Sequence, residues 1–186
     1  MPYSLRHSVH HESLIKKSRF IACVEPASGR EQALVRVAQL RAEHPAAAHV
    51  CWALLAGGQS AAHDDGEPGG TAGRPMLEVL RHQDLDGVLA TVVRYWGGVK
   101  LGAGGLVRAY GDAVSQALQG AERVTLVRRI AQAAAVPFAQ EGLLRRELAA
   151  AGIAIEAAEH GAMALLRWQV AEDRAAALRQ RLTDLT

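Results

Sequence analysis

Short apolar runs and helix-period segments alternate along the first part of the chain. Residues 15–24 form a run with β-branched side chains that predicts a strand. Ser28 and Glu31 have the spacing of a capping box, and apolar residues then recur at helical period as far as Pro45, which predicts a helix. Residues 49–56 predict a second strand, which a glycine pair closes.

Glycine-rich loops and apolar segments alternate in the centre of the chain, where 13 of the 18 glycines lie between Gly57 and Gly111. Residues 61–75 predict a long irregular loop with three carboxylates, and loops of this length are usually functional or disordered. A short helix is predicted over residues 76–80. Residues 87–95 form the continuous apolar run that is typical of a central strand buried on both faces.

A second glycine-rich loop, residues 96–105, leads into a predicted helix over residues 106–118, whose apolar side chains fall on one face. Trp96 stands at the start of this loop. It either forms an exposed anchor for a partner protein or caps the core at the end of the central strand. We favour the core cap.

The composition of the sequence changes near residue 122, after which glycine is scarce. The later elements are a strand (126–137), a helix (140–151), a hairpin (153–159 and 162–171) and a helix (173–182). This β-α-β-β-α order is that of a ferredoxin-like domain without its last strand. We therefore predict two domains, residues 1–122 and residues 123–186.

Composition indicates a globular chain: 186 residues are 49% hydrophobic and 22% charged, which excludes a disordered tail as the main content. Aromatic residues make up only 4%, which disfavours proteins that stack many bases of a single strand. The net charge is +2, and residues 123–186 hold 9 of the 21 basic and 7 of the 19 acidic residues. We favour a solvated arginine-rich helix face over an RNA contact as the explanation of that small excess.

Neither the apolar segments nor the cysteines indicate export. No stretch approaches the roughly 20 apolar residues of a membrane span, and the N-terminus lacks a signal-peptide pattern. We therefore expect a cytoplasmic protein without membrane contact.

Cys23 and Cys51 form no C-x-x-C pair, which excludes a zinc ribbon. His49 and Cys51 could supply two metal ligands, but we favour a buried thiol beside a structural histidine.

The glycine-rich loop before the predicted helix is a candidate anion site. Its glycines allow close approach to the main chain, and a helix N-terminus presents free N–H groups. Arg108 in the first turn would oppose the helix dipole by about 0.3–1 kcal/mol unless an anion lay beside it. A pairing of Arg108 with a carboxylate of the first loop explains its place equally well. The candidate anion- or ligand-binding residues are Thr71, Arg74, Arg94, Lys100, Gly102, Gly104, Gly105 and Arg108.

Asp64, Asp65 and Glu67 in the first loop are candidate ligands for Mg²⁺, which takes one or two protein carboxylates with phosphate oxygens and waters. Adjacent side chains alternate in direction along an extended chain, so at most two of them converge. Carboxylates tied to loop amides and arginines are the favoured alternative, and no other cofactor is expected. His63 beside Asp64 is the one candidate base with an orienting acid. With no nucleophile motif present, we assign no catalytic residue.

Four segments carry a family resemblance. They are residues 15–20 (IKKSRF), His49-x-Cys51, residues 64–75 (DDGEPGGTAGRP) and residues 93–111 (VRYWGGVKLGAGGLVRAYG). Together they resemble the IMPACT family, in its bacterial YigZ-type branch, over about residues 15–111. Two departures are small: members often have Pro-Ser-Gly where this chain has Pro68-Gly69-Gly70, and Phe where it has Trp96.

The resemblance implies an α+β protein of two domains. The first would be of the type of the second domain of ribosomal small-subunit protein five, shared with ribonuclease PH and GHMP kinases. The second would be ferredoxin-like, similar to domains of elongation factor G. Eukaryotic relatives act in translational control through regions that include an additional domain, so their partner, the activator of an initiation-factor kinase, is not carried over.

The sequence therefore indicates two candidate functions. We expect a non-catalytic, translation-associated regulatory protein that binds RNA, the ribosome or a translation factor. The alternative is an enzyme that acts on a phosphorylated small molecule or nucleotide, with Mg²⁺ at the acidic loop. The sequence does not identify a protein partner or an oligomeric state.

Overall fold

The computed structural model describes residues 2–127 and 129–183, and the chain divides into two compact units, residues 1–126 and residues 127–186. Both units combine helices and antiparallel strands, so the protein is α+β as expected. The division lies slightly beyond the predicted boundary near residue 122. The reason is that β7 (Arg123–Thr125) pairs with β1 (Tyr3–Leu5) and so belongs to the first unit.

A five-stranded antiparallel sheet of order β2-β3-β6-β4-β5 forms the centre of the first unit. Its strands are β2 (Val9–Ile15), β3 (Ser18–Pro26), β4 (His49–Ala56), β5 (Gln59–His63) and β6 (Val88–Tyr95). The prediction of a central, two-sided strand is confirmed by β6, which is buried along its length except at Tyr95.

Helices cover both faces of this sheet. They are α1 (Arg30–Glu43), α2 (Gly73–His82) and α3 (Ala103–Ala117). Successive residues of β6 alternate between the two cores: Leu89 and Val93 pack in the core that contains α1, and Val88 and Val92 in the core that contains α2 and α3. This alternation follows from the two-residue period of a strand.

Several predicted boundaries are wrong. The strand predicted to begin at residue 15 begins at Ser18, because Lys16 and Lys17 adopt positive φ (46° and 64°) and form the turn of a β2–β3 hairpin. The capping box is not formed: Ser28 donates from its N–H and its hydroxyl to the Gln32 side chain, and Gly29 is the N-cap.

The two later helices of the first unit begin earlier than predicted. The short helix expected over residues 76–80 begins at Gly73, and the helix expected from residue 106 begins at Ala103. Each helix begins within a stretch that contains glycine. Because glycine is a poor helix former, the sequence assigns both stretches to loops.

The second unit has the predicted order of elements. They are β8 (Arg129–Val136), α4 (Phe138–Ala150), β9 (Ile155–His160), β10 (Ala164–Ala171) and α5 (Glu172–Thr183), with the sheet order β8-β10-β9. The strand predicted over residues 126–137 is the shorter β8 (Arg129–Val136), and the separate strand β7 (Arg123–Thr125) before it was not predicted. Within residues 129–183, β8 is an edge strand of this sheet. No helix of the described residues is long and apolar enough to cross a membrane.

Candidate functional site at the N-terminus of α3

The N-terminus of α3 is open. Gly102 is the N-cap of α3, with φ of 75°. Because this residue is glycine, it has no side chain that could cap the helix. Leu106 donates the first helical hydrogen bond, 2.9 Å to the carbonyl of Gly102. Among the described residues no acceptor faces the N–H groups of Ala103, Gly104 and Gly105. These three donors and the positive end of the helix dipole are therefore available to water or an anion.

A cavity of about 420 Å³ lies against this helix end. Its wall includes Gly102, Ala103 and four titratable side chains: the buried Glu67 and Arg94, the half-buried His49, and Lys100. Trp96 stands on the same wall with 58% of its surface exposed. The favoured prediction that Trp96 caps the core is therefore wrong, and the alternative of an exposed anchor for a partner protein stays a prediction.

Gly97 positions the loop that carries Trp96 and Lys100. A Cβ atom on Gly97 would lie 2.0 Å from the carbonyl carbon of Lys17, a separation that no side chain tolerates. The Gly97 N–H also donates to the Ser18 hydroxyl at 3.1 Å. The loop is thus packed against the β2–β3 turn, which explains why a residue without a side chain follows Trp96.

A buried ion pair forms part of the cavity wall. Arg94 donates from Nη1 to Glu67 Oε1 at 2.6 Å, and the two side chains are only 6% and 3% exposed. Tyr110 donates its hydroxyl to the same Glu67 oxygen at 2.6 Å, and Arg94 Nη2 donates to the Ser18 hydroxyl at 3.3 Å. Burial, with Cys51 and Glu67 adding to it, raises the pKa of Tyr110 well above its ordinary value, so the phenol stays protonated and remains a donor.

One donor of this network is left over. Arg94 Nε is buried and has no hydrogen-bond partner among the described residues, although the guanidinium also lies 5.4 Å from the Phe20 ring centre.

His49 presents one nitrogen near the buried carboxylate. Its Nδ1 lies 2.8 Å from the carbonyl oxygen of Asp65, which can only accept, so the proton is on Nδ1. Its Nε2 lies 3.7 Å from Glu67 Oε2. The sequence identified His49 only as a possible metal ligand beside Cys51, and it missed the convergence of His49, Glu67 and Tyr110, since these residues lie far apart along the chain.

The three carboxylates of the acidic loop diverge. Asp64 accepts from the N–H groups of Gly70, Ala72 and Gly73 at 2.7, 3.1 and 2.8 Å, which places it at the start of α2. Burial raises the pKa of Asp64, but these three hydrogen bonds outweigh it and hold the pKa below its ordinary value.

The other two acids have separate partners. Asp65 accepts from the Val50 N–H at 2.6 Å and from Arg41, while Glu67 pairs with Arg94. Within the described residues no group of three or more His, Cys, Asp or Glu side chains could hold a metal ion. The structure therefore does not bring the predicted Mg²⁺ ligands together, and it shows the alternative of acids tied to loop amides and arginines.

Three of the predicted anion-binding residues lie away from the cavity. Arg108 and Arg74 line a different cavity, of about 610 Å³, beside α2 and α3. Because α3 begins at Ala103, Arg108 falls in its second turn rather than its first. No carboxylate of the first loop lines this cavity with Arg108. Thr71 is buried, and its hydroxyl donates to the Pro68 carbonyl at 2.6 Å. Arg94, Lys100 and Gly102 do meet, next to the amides of Gly104 and Gly105.

The nucleophile and base candidates are not assembled. His63 Nδ1 accepts from the Asp65 N–H at 3.1 Å and its ring stacks on Trp52, so Asp64 does not orient it. Cys51 is fully buried, and burial chiefly raises its pKa to about 12. A thiol of that pKa is protonated at neutral pH and is a poor nucleophile.

Comparison with known proteins identifies relatives for both units. The Impact N-terminal domain model matches residues 16–118, and a domain of unknown function, DUF1949, matches residues 135–186. An IMPACT family member of Haemophilus influenzae is 48% identical over 129 residues, 67% of this chain and 63% of that protein. The IMPACT family member YigZ of Escherichia coli is 51% identical over 110 residues, 56% of this chain and 54% of that protein.

The matched segment thus spans between 54% and 63% of the length of these curated relatives. A crystal structure described as that of a hypothetical protein aligns with all of this chain and 92% of its own, at a TM-score of 0.79 and 35% identity. The segments that carry the resemblance lie, except for residue 15, within the first matched domain.

Proposed function

Because this chain belongs to the IMPACT family, we propose that it is a non-catalytic, translation-associated regulatory protein of the cytoplasm that binds RNA at the open N-terminus of α3. The kinship implied for its two domains, with ribosomal protein five and elongation factor G, belongs to this proposal and supports it by association only. The observation that carries the proposal is the cavity itself, where the first residue of α3, Ala103, lies with Lys100 and the exposed Trp96, next to the free amides of Gly104 and Gly105.

These groups match the two parts of a nucleotide. Main-chain N–H groups at a helix N-terminus and a lysine bind phosphate, and an exposed indole stacks on a base. Among the described residues, Trp96 is the one Trp, Tyr or Phe that lines this cavity, so the contact fits a single nucleotide of a strand rather than a long stacked segment. This agrees with the low aromatic content of the chain.

Binding of a short single-stranded RNA at several salt concentrations tests the proposal. We expect affinity to fall steeply with salt, because each phosphate that is neutralised gives a slope of about −0.7 in a plot of log K against log salt. Lys100→Ala should flatten that slope, and Trp96→Ala should weaken binding by about 1–3 kcal/mol through lost stacking.

Arg146→Ala is the matched control, since Arg146 is an exposed cation of α4 in the second unit. It should leave affinity and salt slope unchanged. No binding at low salt, or a loss that is equal for Lys100→Ala and Arg146→Ala, would contradict the proposal.

One contact favours a second candidate, an enzyme acting on a phosphorylated small molecule. His49 lines the same cavity, and its Nδ1 hydrogen bond to the Asp65 carbonyl orients the ring. Incubation of nucleotides with the protein and Mg²⁺, followed by phosphate release, tests it. Turnover that His49→Gln abolishes would establish the enzyme and overturn the non-catalytic assignment.

A further inference from the structure

We propose that the turn between β2 and β3, formed by Lys16 and Lys17, contacts the phosphates of an RNA strand that continues from the cavity beside Trp96 and Lys100. The inference rests on the proposed function and deepens it, because it adds the path of the strand and two residues that bind it. Neither residue of the turn lines the cavity itself.

The composition of this turn does not suit its conformation. Ile15 pairs with Ser18, so the turn contains two residues, Lys16 and Lys17, with φ of 46° and 64°. Two-residue turns in which both φ angles are positive strongly favour Asn-Gly, Asp-Gly or Gly-Gly, because a Cβ atom is strained in the left-handed region. Two lysines therefore make the hairpin less stable than those sequences would, and strained residues of this kind cluster at functional sites.

The turn packs directly against the loop that contains Trp96 and Lys100. Gly97 lies so close to the Lys17 backbone that no side chain would fit between them, and the Gly97 N–H donates to the Ser18 hydroxyl at 3.1 Å. Trp96 and Lys100 of the same loop line the cavity. A strand that leaves the cavity along this loop therefore passes over the turn.

The positive charge around this loop is unpaired. Lys16, Lys17 and Lys100 are the three lysines of the sequence, and all three are exposed. Among the described residues none of the three has an acidic side chain within ion-pair distance. Three unpaired cations around one loop form a surface that is complementary to a polyanion.

Acids of the neighbouring strands and loops do not neutralise this surface. Glu12 of β2 pairs with Arg19 of β3 at 2.6 Å, and Glu67 of the cavity wall pairs with Arg94 at 2.6 Å. Each of these acids is thus matched by an arginine. The lysines remain as the excess positive charge of this end of the sheet.

The kind of cation favours a nucleic acid over an acidic protein as the polyanion. Of the 21 basic residues 18 are arginines, yet the cations of this surface are all lysines. Protein–protein interfaces are enriched in arginine and depleted in lysine, whereas a lysine binds phosphate as a point charge. Phosphates also repeat along a strand, so lysines of a turn and of a separate loop can each contact one.

Exchange of the turn for its favoured sequence tests the inference, because it separates the folding of the hairpin from the contact. Lys16→Asn with Lys17→Gly should raise the melting temperature, since Asn-Gly is a preferred pair for this turn. The same variant should bind a single-stranded RNA dodecamer about tenfold more weakly at low salt. Its plot of log K against log salt should be less steep by about 1.4, the value for two phosphate contacts.

Two control variants separate contact from net charge. Lys16→Arg with Lys17→Arg keeps both charges and should keep dodecamer binding. Arg30→Ala with Arg146→Ala removes two exposed cations elsewhere and should change neither affinity nor slope. Arg30 begins α1 beyond the far end of β3, about 26 Å from the turn along the strand, and Arg146 lies in the second unit.

A second charge variant decides the contact if the turn exchange does not raise the melting temperature, a result that would overturn the argument from strain. Lys16→Gln with Lys17→Gln removes the charges and keeps side chains of similar length. It should show the same loss of affinity and of slope as the turn exchange. Unchanged dodecamer binding by this variant would overturn the inference.

The outcomes distinguish failure of this inference from failure of the proposed function. If both turn variants bind like the unmodified chain while Lys100→Ala and Trp96→Ala weaken binding, the strand does not cross the turn and RNA binding at α3 remains. If the loss equals that of the Arg30 and Arg146 control, net charge explains it and the inference is overturned. Absence of RNA binding at low salt would overturn both, and lysine-dependent binding of a polyglutamate peptide would then assign the surface to an acidic protein.

Discussion

Arg94 and Glu67 are joined by a 2.6 Å hydrogen bond across 27 residues of the chain, with both side chains almost wholly buried. Arg94 lies on β6 and Glu67 in the acidic loop, so the pair ties that loop to the central strand beneath the cavity. The hydroxyl of Tyr110 on α3 completes the link. Loop, sheet and helix therefore meet at one carboxylate.

Removal of either partner should destabilise the protein strongly. Glu67→Leu and Arg94→Met should each lower the free energy of unfolding by about 3–5 kcal/mol, because the remaining charge is buried without a partner. The free energy of unfolding that the double variant loses should be smaller than the sum of the two single losses. Urea denaturation of the four proteins measures this, and additive losses would contradict a direct coupling.

The start of α2 should depend on the ionised form of Asp64. Its three amide hydrogen bonds predict that Asp64→Asn lowers the free energy of unfolding at pH 7 by about 1–3 kcal/mol. Because the folded pKa lies below the ordinary value of 3.8, the carboxylate stabilises the fold above that pH, and its contribution is lost as the pH falls through the folded pKa.

Urea denaturation at pH 7 and at pH 3 checks this dependence. The difference between Asp64→Asn and the unmodified chain should shrink at the lower pH. Asp112→Asn on the exposed side of α3 serves as the control and should change little at either pH. A difference that grows as the pH falls would be inconsistent with a lowered pKa.

Both cysteines should resist modification in the native protein. Burial chiefly raises the pKa of Cys23 and of Cys51 to about 12, and both side chains are buried. A thiol-specific reagent at pH 8 should therefore react with less than one thiol per chain until urea is added, and then with two. Rapid reaction of one thiol in the folded protein would show that one of them is accessible.

Glycine at position 97 should be required for the loop that carries Trp96. Gly97→Ala would place a methyl group against the Lys17 backbone, so we expect a loss of about 1–3 kcal/mol and a shift of Trp96 fluorescence. Gly104→Ala is the control: nothing lies within 4 Å of its Cβ, and it should stabilise α3 by about 0.4–1 kcal/mol. Equal effects of the two changes would contradict the packing of this loop.

Periodicity predicted the elements whose faces are clearly apolar. The central strand β6, the strand β4 and the apolar face of α3 follow directly from the sequence, because buried residues there recur at the period of the element. The strand β2 was missed because it alternates polar residues with few apolar ones at the edge of the sheet, and β5 because it is short and half polar. The Lys16-Lys17 turn gives no sequence signal, since lysine rarely adopts positive φ.

The candidate site was predictable only in its local part. Lys100 and Gly102 were found because a glycine-rich loop before a helix is a continuous pattern. Arg108 was misplaced because the glycines that begin α3 were assigned to the loop, which shifted the helix start by about one turn. The meeting of His49 with Glu67 and Tyr110 depends on the pairing of strands and on helix packing, which no local pattern encodes.

Amide chemical shifts test the central claim most directly, because they report on the donors themselves. In a ¹⁵N-labelled sample titrated with a short single-stranded RNA, the amides of Ala103, Gly104 and Gly105 and the indole N–H of Trp96 should move together and saturate at one dissociation constant. Shifts confined to the second unit, or no shift at these four groups while RNA is bound, would contradict binding at the N-terminus of α3.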